Sequence, residues 1–180
     1  TGTLDIQAPA LAALAPLATG CSDGDNGPVR LMVFSKAHAT TLEALAQAVV
    51  PTQEGFPTVG QAQVVQRLDE ELWLSDPSIQ DDMRAALGAA EWLPFIYGYP
   101  GRFSRLSLEQ RRILVQSWMD SPIELVRAIG TNLKLVSHFM YFGHPSAWAA
   151  IGYDGPFQKL PPIASEQRKA YAIHVAGGTQ

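Results

Sequence analysis

Cysteine is nearly absent: the chain of 180 residues holds one, Cys21. A single thiol excludes an internal disulfide, a CxxC redox pair, a CxxCH haem site and a cysteine-held iron–sulfur cluster. If the chain serves electron transfer, the electrons travel on another subunit. Charge is scarce too. Charged residues make up 17% of the chain, below the usual quarter, which points to surface lying against another molecule. The formal net charge of −4 lacks the basic balance of a nucleic-acid binder, so no nucleic-acid partner is expected. Long apolar runs are also missing. The best, APALAALAPL at 8–17, falls short of the roughly 20 residues a membrane span needs and contains Pro9 and Pro16, so no membrane span is expected. Gly-x-Gly-x-x-Gly, Walker A and Gly-x-Ser-x-Gly patterns do not occur, which leaves dinucleotide, phosphate and nucleophile-elbow sites without sequence support. The four histidines, His38, His138, His144 and His174, are scattered without metal-site spacing, and no metal, catalytic or cofactor-binding residues are expected in this chain.

What is present is ordinary globular stock, 47% hydrophobic and of a length for one domain. Its charge is uneven: residues 1–90 carry 4 basic and 11 acidic groups, net −7, and residues 91–180 carry 9 basic and 6 acidic, net +3. Such a split lets two ends of one domain attract, or orients a charged partner. The apolar arm ends in Leu17-Ala18-Thr19-Gly20-Cys21, small residues before a cysteine that resemble a bacterial lipoprotein processing site. No Lys or Arg precedes Arg30, so the basic start of an export signal is missing. The arm reads either as a signal remnant or as an ordinary apolar arm. Glycines and polar residues at 20–28 form a linker, giving an arm over 1–28, a body over 29–157 and a tail over 158–180.

Within the body the periodicity predicts an all-α domain of about five main helices with long aromatic-rich loops. Val29 to Phe34 is a candidate short strand without a visible pairing partner. Leu42, Leu45, Ala46 and Val49 mark a first helix that starts at Ser35 or Thr40 and stops at Pro51. Capping-box pairs Thr58/Gln61, Ser78/Asp81 and Ser107/Gln110 open three more. Ser121-Pro122-Ile123-Glu124 is the strongest start signal, for a fifth helix reaching Phe142. That helix is apolar at Leu125, Ile129, Leu133, Val136 and Met140, widened by Val126, Leu135 and Phe139, so it touches neighbours on more than one side. A short turn follows Pro145, and Gly152 to Pro156 is turn chemistry; Ser165 to Val175 has no definite expected state.

Two aromatic-rich loops stand out: Trp92, Phe95, Tyr97, Tyr99 and Phe103 in one, Tyr141, Phe142, Trp148, Tyr153 and Phe157 in the other. Such residues serve cores and protein interfaces alike. The first loop, being apolar, is expected to be covered. Glu70-Glu71 and Asp81-Asp82 read as solvated helix faces. Arg102, Arg105, Arg111 and Arg112 read as a helix surface, with an acidic partner as the alternative.

LEALAQAVVP (42–51), VVQRLDEELW (64–73), RFSRLSLEQRRILVQSWMDSP (102–122), MYFGHPSAW (140–148) and AAIGYDGP (149–156) follow in an order that resembles the family of gluconate 2-dehydrogenase subunit 3. This family comprises the small, or gamma, subunits of FAD-dependent dehydrogenases of the glucose–methanol–choline (GMC) type. The resemblance implies a non-catalytic helical subunit of an oxidoreductase complex, bound to an FAD-carrying subunit that acts on a sugar or alcohol. It further implies a cytochrome c subunit in some complexes and a location in the periplasm or cell envelope, reached through partners or a lipidated Cys21. FAD is then on the partner. Twin-arginine signals occur in some members, and no Arg-Arg precedes the apolar arm here. With this resemblance, the turn chemistry and aromatic content of the segment make Trp148, Ile151, Gly152, Tyr153, Asp154, Gly155, Pro156 and Phe157, with Tyr141 nearby, the expected partner-binding residues; the alternative is that the same turn closes the helical core. The rival reading is a stand-alone envelope lipoprotein that binds an apolar ligand between its helices.

Overall fold

Apolar residues at helical spacing give seven α-helices among the described residues, which are 30–156 and 165–177 of a computed structural model. The helices are α1 (Lys36–Val49), α2 (Val64–Trp73), α3 (Pro77–Trp92), α4 (Leu108–Met119), α5 (Glu124–Phe142), α6 (Pro145–Trp148) and α7 (Glu166–Val175). No strand occurs among those residues, and the fold is all-α. The arm with Cys21 and Phe157 lie outside them.

Local chemistry decides where each helix starts. Ser35, not Thr40, caps α1, its hydroxyl accepting from His38 N at 3.2 Å, while Thr40 turns its own hydroxyl back onto the Lys36 carbonyl. The Ser107/Gln110 box forms in full at α4. Thr58 and Gln61 also exchange both hydrogen bonds, yet they close a turn rather than open α2. Gln63 sits in the left-handed region at φ 50° and breaks the path, so α2 begins at Val64. α3 starts at Pro77, one residue before the expected Ser78 cap, because proline is already set for a first helical turn. At the strongest expected start, the hydroxyl of buried Ser121 accepts from Ile123 N and its carbonyl accepts from Arg127. Ser121 thereby ties the α4–α5 turn, and α5 begins at Glu124. Over its described residues, 30–34, the candidate strand does not form. The N–H groups of Met32, Val33 and Phe34 donate instead to the Asp69 carboxylate on α2, at 2.7, 3.0 and 2.8 Å.

α1 runs through the middle of the body, packing on α2, α3, α4 and α5. Leu42 and Leu45 of α1, Leu87 of α3, Leu114 and Trp118 of α4 and Leu133 of α5 are buried in one core with Phe103. α4 and α5 approach closely: a Cβ on Gly130 would lie 2.9 Å from the Trp118 Cβ, so only glycine permits the approach. A second cluster joins the end of α1 to Val59, Val64, Tyr141 and Ala147, fixing α6 against the end of α5. α7, in the segment of no definite expectation, is capped by Ser165 and lies on α2. Tyr171 Oη donates to Asp69 at 2.8 Å, and Trp73 packs on Tyr171 and His174.

Candidate protein-interaction surfaces

The segment expected to bind a partner folds around Trp148. Its indole N–H donates to the Phe142 carbonyl at 3.0 Å, and its own carbonyl accepts from Tyr153 N at 2.9 Å. Gly152 and Gly155 adopt φ 66° and 100°, turning the chain back so that Tyr153 meets Trp148 edge-on with centroids 5.4 Å apart. A Cβ at Gly155 would press to 3.0 Å of the Trp148 ring. Ile151, Gly152, Tyr153, Asp154 and Pro156 are left exposed around this hub. Trp148 is partly buried and holds the turn together. Tyr141 is fully buried in the second cluster, its hydroxyl donating to the Pro57 carbonyl at 2.6 Å, so it is closed to a partner. Burial also raises the Tyr141 phenol above the usual tyrosine range.

A larger surface lies on α5. Val126, Gly130, Leu133, Ser137 and Tyr141 form its buried face. On the opposite side Leu125 is 69% exposed and Phe139 64%, with Leu135 also exposed. At 100° per residue these three fall within about 80° of one another, so they form one apolar stripe of about 21 Å. From the sequence all three belong to a wide apolar stripe with contact on more than one side. Periodicity identifies an apolar helix face but not what covers it, and neighbours in this chain cover only one side.

The loop after α3 is likewise not covered as expected. Phe103 is buried, whereas Trp92 is 56% exposed, Ile96 79%, and Phe95 is exposed beside them. Trp92 and Phe95 stack with centroids 5.6 Å apart, and the Arg102 guanidinium lies 5.1 Å above the Trp92 ring. The arginine run does not behave as one patch. Arg111 reaches inward to the Ala44 carbonyl and Gln47, and Arg112 bonds Thr52. Burial lowers the Arg111 pKa. Glu70 and Glu71, read as a solvated face, both pair with Arg168 at 2.8 and 2.6 Å, while Asp81 pairs with Arg84.

Three of the four histidines hydrogen-bond within the fold. His138 Nε2 meets the Val49 carbonyl at 2.9 Å, as a boundary histidine on α5 should. His144 caps α6 through its Nδ1, and His174 Nδ1 meets the Ala170 carbonyl. Among the described residues no group of His, Cys, Asp or Glu is arranged to hold a metal ion, and no helix is long and apolar enough to cross a membrane.

Comparison with known proteins gives one partial likeness. The chain is 34% identical over 73 residues to a long-chain-alcohol oxidase of Arabidopsis thaliana, a match covering 36% of this chain and 10% of that protein. The chain thus spans about a tenth of the relative's length. No family model matches, and no solved structure matches. The likeness provides a loose link to GMC oxidoreductases.

Proposed function

We propose that this chain is a non-catalytic helical partner of an FAD-dependent, GMC-type sugar or alcohol dehydrogenase, a small subunit that binds and stabilises the flavoprotein in the cell envelope. The observation that carries the reading is the exposed apolar stripe Leu125, Leu135 and Phe139, on a helix whose other side already forms the core. Exposed apolar faces of this kind mark protein contacts. The partial match supports the choice of partner: 73 residues of this chain resemble part of a much longer alcohol oxidase. In this reading the redox partner covers the exposed face of α5. Ile151 and Tyr153 add a second contact in this reading, and the FAD is the partner's.

The test is co-expression with the GMC-type flavoprotein encoded nearest to this chain in its source genome, followed by size-exclusion chromatography. The expected result is co-elution of the two, with FAD absorbance and dehydrogenase activity following the flavoprotein and neither found with the chain alone. FAD or dehydrogenase activity found with the chain alone, or failure of the two to associate, overturns the reading.

A further inference from the structure

We propose that Trp92, Phe95, Ile96, Arg102 and Arg105 form a docking surface for an acidic protein segment, with a cavity beside them that takes one of its apolar side chains. The proposal is independent of the partner named above.

The surface is exposed yet built. Glu91 anchors it from behind: its carboxylate accepts from Ser104 N and Ser104 Oγ at 3.0 and 2.6 Å and from Thr41 Oγ1 at 3.0 Å. These bonds fix the start of the α4 approach against α1. The turn itself is closed by backbone bonds from Ile96 to Leu93 and from Tyr97 and Tyr99 to Pro94. Trp92, Phe95 and Arg102 form an ordered stack on this base. Side chains already stacked on one another lose less conformational entropy when a partner covers them.

Charge selects the partner. Arg102 and Arg105 are exposed, and no carboxylate of the described residues lies within ion-pair distance of either guanidinium. Of the other arginines in that run, Arg111 is spent on the Ala44 carbonyl and the Gln47 amide oxygen, and Arg112 donates to the Thr52 hydroxyl. Two free guanidiniums beside a tryptophan are hot-spot chemistry for a carboxylate-bearing protein. They are too few for a membrane surface, where each cation contributes only about 1 kcal/mol. The adjoining cavity, of about 360 Å³, is lined by Leu87, Gly88, Trp92, Arg102 and Arg105 and, on its polar side, by Glu91, whose carboxylate is engaged by Ser104 and Thr41. A Cβ on Gly88 would meet nothing within 4 Å, so the space is open at that point.

The probe is a synthetic peptide of Glu residues around one central Leu, titrated into the full-length chain and followed by ¹⁵N NMR, including the indole N–H signals. Controls are the same peptide with Gln for Glu, and vesicles of phosphatidylglycerol. The expected result is saturable binding with shifts centred on Trp92 and residues 95–105, absent for the Gln peptide. Binding is expected to fall about tenfold or more in Arg102→Glu/Arg105→Glu and in Trp92→Ala. Gly88→Leu, which fills the cavity and suits a helix better than glycine, is expected to weaken binding without lowering the melting temperature. Equal binding of the Gln peptide, unchanged binding by the charge-reversed variant, no saturation, or preference for the vesicles overturns the proposal.

Discussion

Asp69 does more for this body than any other polar residue. Its fully buried carboxylate accepts from three consecutive backbone N–H groups and from the Tyr171 hydroxyl, so α2 holds both the entry to α1 and the C-terminal helix through one side chain. Asp69→Ala strands those donors and is expected to cost about 3 kcal/mol or more in denaturant unfolding. Tyr171 carries a pH signature. Burial first, then the hydrogen bond to Asp69, raise its phenol above the usual tyrosine range. A raised folded pKa favours the protonated form, so this stability is complete below about pH 10 and is lost as the pH climbs above it. Unfolding midpoints measured upward from pH 9 are expected to fall, and Tyr171→Phe to flatten that fall. None of this was legible in sequence, because Asp69 looks like any acidic residue beside Glu70 and Glu71. Its partners stand 37 and 102 residues away. The local caps at Ser35 and Ser107, whose donor lies three residues on, were legible for the converse reason.

Helices α4 and α5 show how much an element's pattern conveys. Their existence, the Ser107 cap and the stop at Gly143 follow from spacing and capping chemistry alone. The contact distance between them does not. Gly130 on α5 reads as a mild flaw in a helix, yet it lies against Trp118, with the Met119 backbone N 3.3 Å from a would-be Cβ. Gly130→Ala is therefore expected to destabilise the fold by about 1–3 kcal/mol despite its better helix propensity, as chemical denaturation will measure. The turn at 152–156 divides along similar lines. Trp148→Ala removes the indole bond to Phe142 and the packing under Gly155 and Tyr153, and is expected to lower the melting temperature. Tyr153→Ala, at an exposed ring, is expected to leave it nearly unchanged.

At the scale of the whole molecule, the uneven charge of the sequence has a partial physical counterpart. Arg168 from the basic half sits on Glu70 and Glu71 from the acidic half, as attraction between two ends of one body would have it. These pairs are partly exposed and contribute little by themselves. Asp69 and the Trp73 rings do more to hold α7. The scarcity of charge likewise finds its expression in surface: the α5 stripe and the loop at 92–96 remain apolar and open. That the chain carries exposed apolar surface was legible in its composition, but the exposure of Leu125, Leu135 and Phe139 was not, since which side chains face the core depends on the finished packing. The most direct test of the account is the affinity of the chain for its flavoprotein, measured for the wild type and for Leu135→Lys/Phe139→Lys. The double variant is expected to unfold within about 0.5 kcal/mol of the wild type, because both side chains are exposed, and to bind about 30-fold or more weakly. A folded double variant that binds the flavoprotein as tightly as the wild type would contradict the account.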